Sequence, residues 1–276
     1  MSQSFDNDPN RSVSDLPPAS QDVRRDVPAP HQVRVAMPQS APYVTYTIIS
    51  VTVIVFLLQL ISIAVFGRFS GGADLLEIYG ALIGSAVSAG ELWRLITPVL
   101  LHDNSFPLHI LFNMYALYSF GNGLERHFGH RRFLLLYLLG GFSGNVLSFL
   151  ISSQRYSYSI GASTAIFGLL GAEAVFLLQN RKLFAGQFRS AISNILFVAV
   201  INLFIIGSIP GIDRWGHIGG LLGGLMFTSF AGPLWEVEGI SPALQLVDKR
   251  ETRDVVVGAL TVLLVFGALA VWGIVR

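Results

Sequence analysis

The chain has 276 residues, 52% of them hydrophobic and only 13% charged, with a mean hydropathy of +0.59. That is too apolar for a soluble globular domain of average make-up and points to a membrane protein. The formal net charge of +1 and the lack of any basic run argue against a nucleic-acid partner. The absence of cysteine removes disulfides, thiol catalysis and cysteine-ligated metals together.

Residues 1–42 carry scattered charges, seven prolines and no apolar period, so they cannot bury enough surface to offset the entropy of ordering. They read as a disordered cytoplasmic tail. No secretory-type apolar core or cleavage site precedes the first apolar span, which is therefore expected to act as an uncleaved anchor. A bilayer core takes roughly 20 apolar residues in helix. Stretches of about that size fall near 44–66, 107–124, 132–152, 161–179, 190–209, 214–232 and 255–275. The fold class expected is an all-α polytopic membrane protein, with residues 233–254 as a cytoplasmic linker before the last span.

Short loops rich in Lys and Arg stay on the cytoplasmic side. Arg126, Arg131 and Arg132 fall between the second and third spans, Arg181, Lys182 and Arg189 between the fourth and fifth, and Lys249, Arg250 and Arg253 before the last. The N-terminus is then cytoplasmic and the C-terminus outside. The first outer connection, residues 67–106, interleaves Leu75, Leu76, Ile78, Leu92, Trp93 and Leu95 with polar residues. It is expected to lie in the interface as short helices. No internal repeat is found, which weakens an inverted-repeat transporter architecture.

Three places can carry chemistry. Ser163, in Gly161-Ala162-Ser163-Thr164, sits at the outer start of the fourth span, where unpaired N–H groups and the positive end of the helix dipole suit an oxyanion. Gly161 would let the backbone approach closely, although small residues also serve helix packing in lipid. His217, in Trp215-Gly216-His217-Ile218-Gly219-Gly220, lies at the outer end of the sixth span and so shares a depth with Ser163. Gly216, Gly220 and Gly224, spaced four apart, give that span a smooth face. If the fourth span packs there, the imidazole reaches the hydroxyl and can act as its base; otherwise His217 is a hydrogen-bonded residue of the bundle.

His109 and Asn113, four apart at the outer end of the second span, share one helical face and could donate hydrogen bonds to a developing oxyanion, or bridge two helices. Asp213 sits at the outer boundary and Glu173 lies ten residues, about 15 Å, along the helix from Ser163, so neither is placed to complete a triad. A serine–histidine dyad is the economical reading. The six histidines include no His-Glu-x-x-His pair, so neither metal nor cofactor is expected.

These residues resemble the rhomboid family of intramembrane serine proteases, in order over residues 79–230. Gly90-Glu91-Leu92-Trp93-Arg94-Leu95-Ile96-Thr97 looks like the Trp-Arg motif of the family's first outer loop. His109 to Asn113 resembles its oxyanion motif, and Gly121 to Glu125 followed by Gly129 the end of that span. Gly161-Ala162-Ser163 resembles the nucleophile motif, and His217-Ile218-Gly219-Gly220 the histidine motif.

The resemblance implies a six-helix core over 43–232 plus an extra C-terminal transmembrane helix over 255–276. It also implies a hydrated Ser163–His217 dyad open to the outer side, with His109 and Asn113 at the oxyanion. Trp93, Arg94, Gly161 and Gly220 take structural parts. The expected activity is peptide-bond hydrolysis in single-pass transmembrane proteins within a plasma or bacterial cytoplasmic membrane; the lipid bilayer is the only other partner implied.

One departure stands out, because the family's usual glycine after the serine is Thr164 here. It would either spread the two helices or bond its hydroxyl to the carbonyl one turn back and leave packing intact; Ala165, Gly168 and Gly171 favour the second. Two rival classes make distinct demands. A catalytically inactive rhomboid-like escort should lack the serine or histidine, and a small transporter would need Glu173, Asn145 and Asn202 as a polar path.

Overall fold

The computed structural model describes residues 40–69, 72, 74–152, 158–209, 211–240 and 243–276. Apart from 40–42, the expected tail lies outside the described residues. The protein is a mostly helical, multi-pass membrane protein. Helix α1 (Tyr43–Phe66) leads into short helices α2 (Leu75–Gly80) and α3 (Gly84–Ser88) and two 3-10 turns, Leu92–Leu95 and Thr97–Leu100. Then come α4 (Leu108–Phe128), α5 (His130–Ile151), α6 (Ser163–Gln179), α7 (Phe188–Val200), α8 (Arg214–Ala231) and α9 (Thr252–Val275). Helix α7 continues through a π turn, Ile201–Ile205, and a 3-10 turn to Ser208.

Seven apolar stretches are expected to span, but among the described residues four helices are long and apolar enough to cross a membrane: Tyr43–Phe66, His130–Ile151, Phe188–Ser208 and Thr252–Val275. Helix α6 is apolar but shorter, at 17 residues. Helix α4 is diluted by His109, Asn113, Asn122, Glu125, Arg126 and His127, and α8 by its glycines.

Helix α1 is built inside out. Thr45, Thr52, Gln59 and Ser62 are buried, while Ile54, Leu57, Leu58, Ile61 and Val65 face outward. In lipid the polar side must find partners within the protein. Glu125, fully buried near the end of α4, supplies one set: its carboxylate accepts from the Val44 and Thr45 N–H groups at 2.8 and 2.7 Å, from the Thr45 hydroxyl at 2.6 Å, and pairs with His130. It caps a helix whose own N-cap, Pro42, has no side-chain cap bond. Between α4 and α5 the chain reverses at Gly129, whose φ of +74° suits glycine.

The inner packing is made by α5, α6 and α8. Gly216, Gly220 and Gly224 of α8 meet Thr164 and Gly168 of α6, as the spacing predicts. A second pair, Gly219 and Gly223, turns the next face of α8 onto Ser143 and Leu147 of α5.

The all-α expectation needs two amendments. Strand β1 (Leu82–Ile83) pairs antiparallel with β2 (Tyr158–Ser159), tying the connection between α1 and α4 to the segment before Ser163. The linker carries a hairpin, β3 (Trp235–Glu238) with β4 (Gln245–Asp248), held to the helices on either side. Arg132 pairs with Asp248 and donates to the Arg250 carbonyl, and Asn180 bonds the backbone of Pro233 and Trp235.

Candidate active site

The residues singled out by sequence converge at one end of the bundle. Ser163 is the first residue of α6 and His217 stands in the first turn of α8, so each sits where its helix begins. The Ser163 Oγ lies 2.9 Å from His217 Nε2. The imidazole lies flat on Phe167, with ring centroids 4.3 Å apart and planes 6° from parallel. Stacking and burial, 5% exposed, leave the ring little freedom to turn away from the hydroxyl. Asp213 caps α8 by accepting from the Gly216 N–H at 2.7 Å, and its carbonyl accepts from the His217 N–H at 3.1 Å. Among the described residues neither Asp213 Oδ2 nor His217 Nδ1 has a hydrogen-bond partner.

Gly161 has a φ of +124°, and a Cβ there would stand 2.8 Å from His109 Nε2. The glycine therefore admits the His109 ring beside Ser163, where the sequence anticipates a close backbone approach. His109 Nδ1 accepts from the Asp103 N–H at 3.4 Å, which assigns the proton to Nε2, the nitrogen turned toward Gly161. Asn113 uses one amide hydrogen to bond the His109 carbonyl at 2.9 Å, one turn back on α4.

Trp93 and Arg94 stand apart from these groups and organise the loop. Trp93 Nε1 donates to the Tyr79 carbonyl at 3.0 Å. The buried Arg94 guanidinium pairs with Glu91 and donates to the Ala81 and Ile78 carbonyls at 2.8 Å each. Asn145 of α5 adds a bond to the Leu95 carbonyl at 3.0 Å.

Thr164 does not part the helices. Its Cγ2 lies in a gap created by two missing side chains, since a Cβ at Gly144 or Gly216 would fall 3.0 or 2.9 Å from that methyl. The expected hydroxyl-to-carbonyl bond is not made: Thr164 Oγ1 is buried without a partner among the described residues. The glycines of neighbouring helices, rather than a backbone bond, make room for the threonine.

Sequence reasoning passed over His102 and Gln59. Gln59 of α1 clasps the His102 backbone with two hydrogen bonds of 3.1 Å, and His102 Nε2 accepts from the Ala162 N–H at 3.5 Å. Burial, and then the proximity of His109, hold the His102 pKa down to about 3, so it is a neutral acceptor beside the segment that leads into Ser163. The available signal was Gln59, one amide in an apolar span. Of the three residues a transporter path would need, Asn145 donates to the Leu95 carbonyl and Asn202 to the Val198 carbonyl of its own helix, while Glu173 Oε2 is buried without a partner among the described residues.

Comparison with known proteins adds to this geometry. Residues 89–233 match the family described as the rhomboid domain. The chain is 39% identical over 194 residues to rhomboid protease GluP of Bacillus subtilis, covering 69% of this chain and 35% of that protein. It is 41% identical over 152 residues to RHOMBOID-like protein 1 of Arabidopsis thaliana, covering 55% and 38%. With the putative rhomboid protease YdcA of Bacillus subtilis it shares 37% identity over 142 residues, covering 51% and 68%. The chain thus spans little more than a third of the first two relatives' length and about two thirds of the third's.

Proposed function

The chain belongs to the rhomboid family, and from that premise we propose that it is an intramembrane serine endopeptidase that cuts single-pass transmembrane proteins near the outer face of the membrane. The observation that carries the reading is the 2.9 Å approach of Ser163 Oγ to His217 Nε2 between two helices packed along the glycine face of α8. His217 takes the Ser163 proton as Oγ attacks the scissile carbonyl, and the protonated imidazole gives it to the leaving amine. The resulting acyl-enzyme is cleared by a water that His217 deprotonates. The Ser163 N–H at the start of α6, the His109 Nε2–H and the Asn113 amide hold the oxyanion; each donor contributes about 3 kcal/mol of transition-state stabilisation.

Six helices, α1 and α4 to α8, form the protease core, and α9 is a seventh span. The N-terminus is cytoplasmic and the C-terminus outside, in a plasma or bacterial cytoplasmic membrane, following the Lys and Arg loops. A substrate helix must unwind to present an extended bond at Ser163, which favours small or helix-breaking residues there.

The test is labelling of the purified protein by a fluorescent probe for nucleophilic serines, beside Ser163→Ala and His217→Ala. Labelling that disappears in both variants supports the dyad. A folded wild type that does not label refutes it and leaves a binding or escort role.

A further inference from the structure

Residues of α1, of the connection between α1 and α4, and Tyr158 line a cavity of about 510 Å³. Its walls include Asp74, Glu77, Asp103, Asn104 and Tyr158, over an apolar base of Ile63, Ile78 and Ile83. No Lys, Arg or His is among the described residues that line it. Asp74 is buried, 3% exposed: Oδ1 caps α2 by accepting from the Leu76 N–H at 2.9 Å, while Oδ2 has no partner among the described residues. Asn104 Oδ1 is likewise buried without a partner. Glu77 accepts from the Tyr158 hydroxyl, and burial, then the charges of Asp74 and Asp103, raise its pKa above the ordinary carboxylate value. Among the described residues the lining is short of donors and of positive charge.

Resting on the protease reading above, we propose that this cavity is a subsite for a basic side chain, arginine foremost, on the outer segment of the substrate. A guanidinium brings several N–H donors in one plane, matching the carboxylates and the Asn104 carbonyl. Its methylene stem packs on Ile63, Ile78 and Ile83. A bare metal ion fits less well, because among the described residues no three carboxylate or imidazole groups converge closely enough to ligate one.

The cavity is also within reach of the chemistry. The Asp103 backbone bonds His109, and His109 lies against Gly161, two residues before Ser163. At about 3.3 Å per extended residue, a peptide crossing Ser163 would present the basic side chain roughly two to five residues from the scissile bond.

The test reads binding without cleavage, so that failure here is distinguishable from failure of the protease reading. The full chain carrying Ser163→Ala, in detergent, is titrated with short fluorescein-labelled peptides of one composition, in which a single Arg or Gln is walked along the sequence. The expected result is one register in which Arg binds about tenfold more tightly than Gln, as for a charge-assisted bidentate contact. The gain should vanish in Glu77→Gln, and in Asp74→Asn, where asparagine keeps the α2 cap. Equal affinity of Arg and Gln in every register, or a gain that survives both substitutions, overturns the proposal. So does a calcium-dependent rise in melting temperature that Glu77→Gln abolishes, since it would assign the cavity to a metal.

Discussion

Replacing Gly220 by alanine tests whether the smooth face of α8 sets the dyad distance. A Cβ at Gly220 would stand 2.0 Å from the Thr164 carbonyl oxygen, which is backbone and cannot rotate aside. Restoring van der Waals contact requires α6 and α8 to separate by about 1.2 Å. The shift acts one residue from Ser163 and three from His217, so their 2.9 Å contact opens to about 4 Å, beyond a hydrogen bond. Overpacking of this kind costs about 1–3 kcal/mol of stability. Misplacing the base by an ångström costs on the order of 10²-fold in rate. The assay is the rate of serine-probe labelling beside thermal unfolding in the same detergent, with Gly267→Ala as control because nothing lies within 4 Å of a Cβ there. Labelling of Gly220→Ala at the wild-type rate would refute the argument that this glycine contact sets the Ser163–His217 distance.

Thr164→Val keeps the methyl that fills the space opposite Gly144 and Gly216 and removes an unpartnered hydroxyl; melting should rise by the equivalent of about 1 kcal/mol with labelling unchanged. Arg94→Lys cannot reproduce the fork that holds Glu91, Ala81 and Ile78 together, and should cost about 2 kcal/mol and expose residues 78–95 to limited proteolysis. The His102 pKa lies near 3 in the folded protein against 6.5 normally, so the unfolded chain binds the proton first as pH falls. Its contribution is complete above about pH 6.5 and lost toward pH 3, a decline of a few kcal/mol that His102→Gln should flatten in unfolding measured against pH.

Ser163, His217, His109 and Asn113 were legible because each is a polar group in an apolar helix, and the orientation of the spans by their Lys and Arg loops put all four at the same end of the bundle. The glycine spacing of α8 likewise announced a close neighbour, although one stripe was visible where the structure has two, facing α6 and α5. What escaped was made by tertiary contact. The hairpin over 235–248 is held by Arg132 and Asn180, more than fifty residues away in sequence, and its Glu236 and Glu238 alternate too briefly to separate it from a charged linker. The part played by His102 depends on Gln59, forty-three residues before it. The Thr164 hydroxyl was misjudged because local helix geometry offers it a carbonyl, whereas the packing of Gly144 and Gly216 decides where its methyl goes.

The same tension explains why hydropathy undercounts the helices. Helices α1, α7 and α9 pass the test for a membrane span and bury only 22%, 11% and 22% of their most apolar windows. They face outward, and their sequences answer to lipid. Helices α4, α6 and α8 hold His109 and Asn113, Ser163 and His217, and none of them passes. Their composition answers to one another: polar groups need partners and helix axes must approach closely, so leucine gives way to asparagine, histidine and glycine. Helix α5 meets both demands, apolar enough to span yet 61% buried, with Gly140, Gly141 and Gly144 turned to α6, α8 and the loop. Failing as a membrane span, α4 and α8 by composition and α6 by its 17 residues, thus marks the inner bundle, and the candidate site lies where these three helices begin.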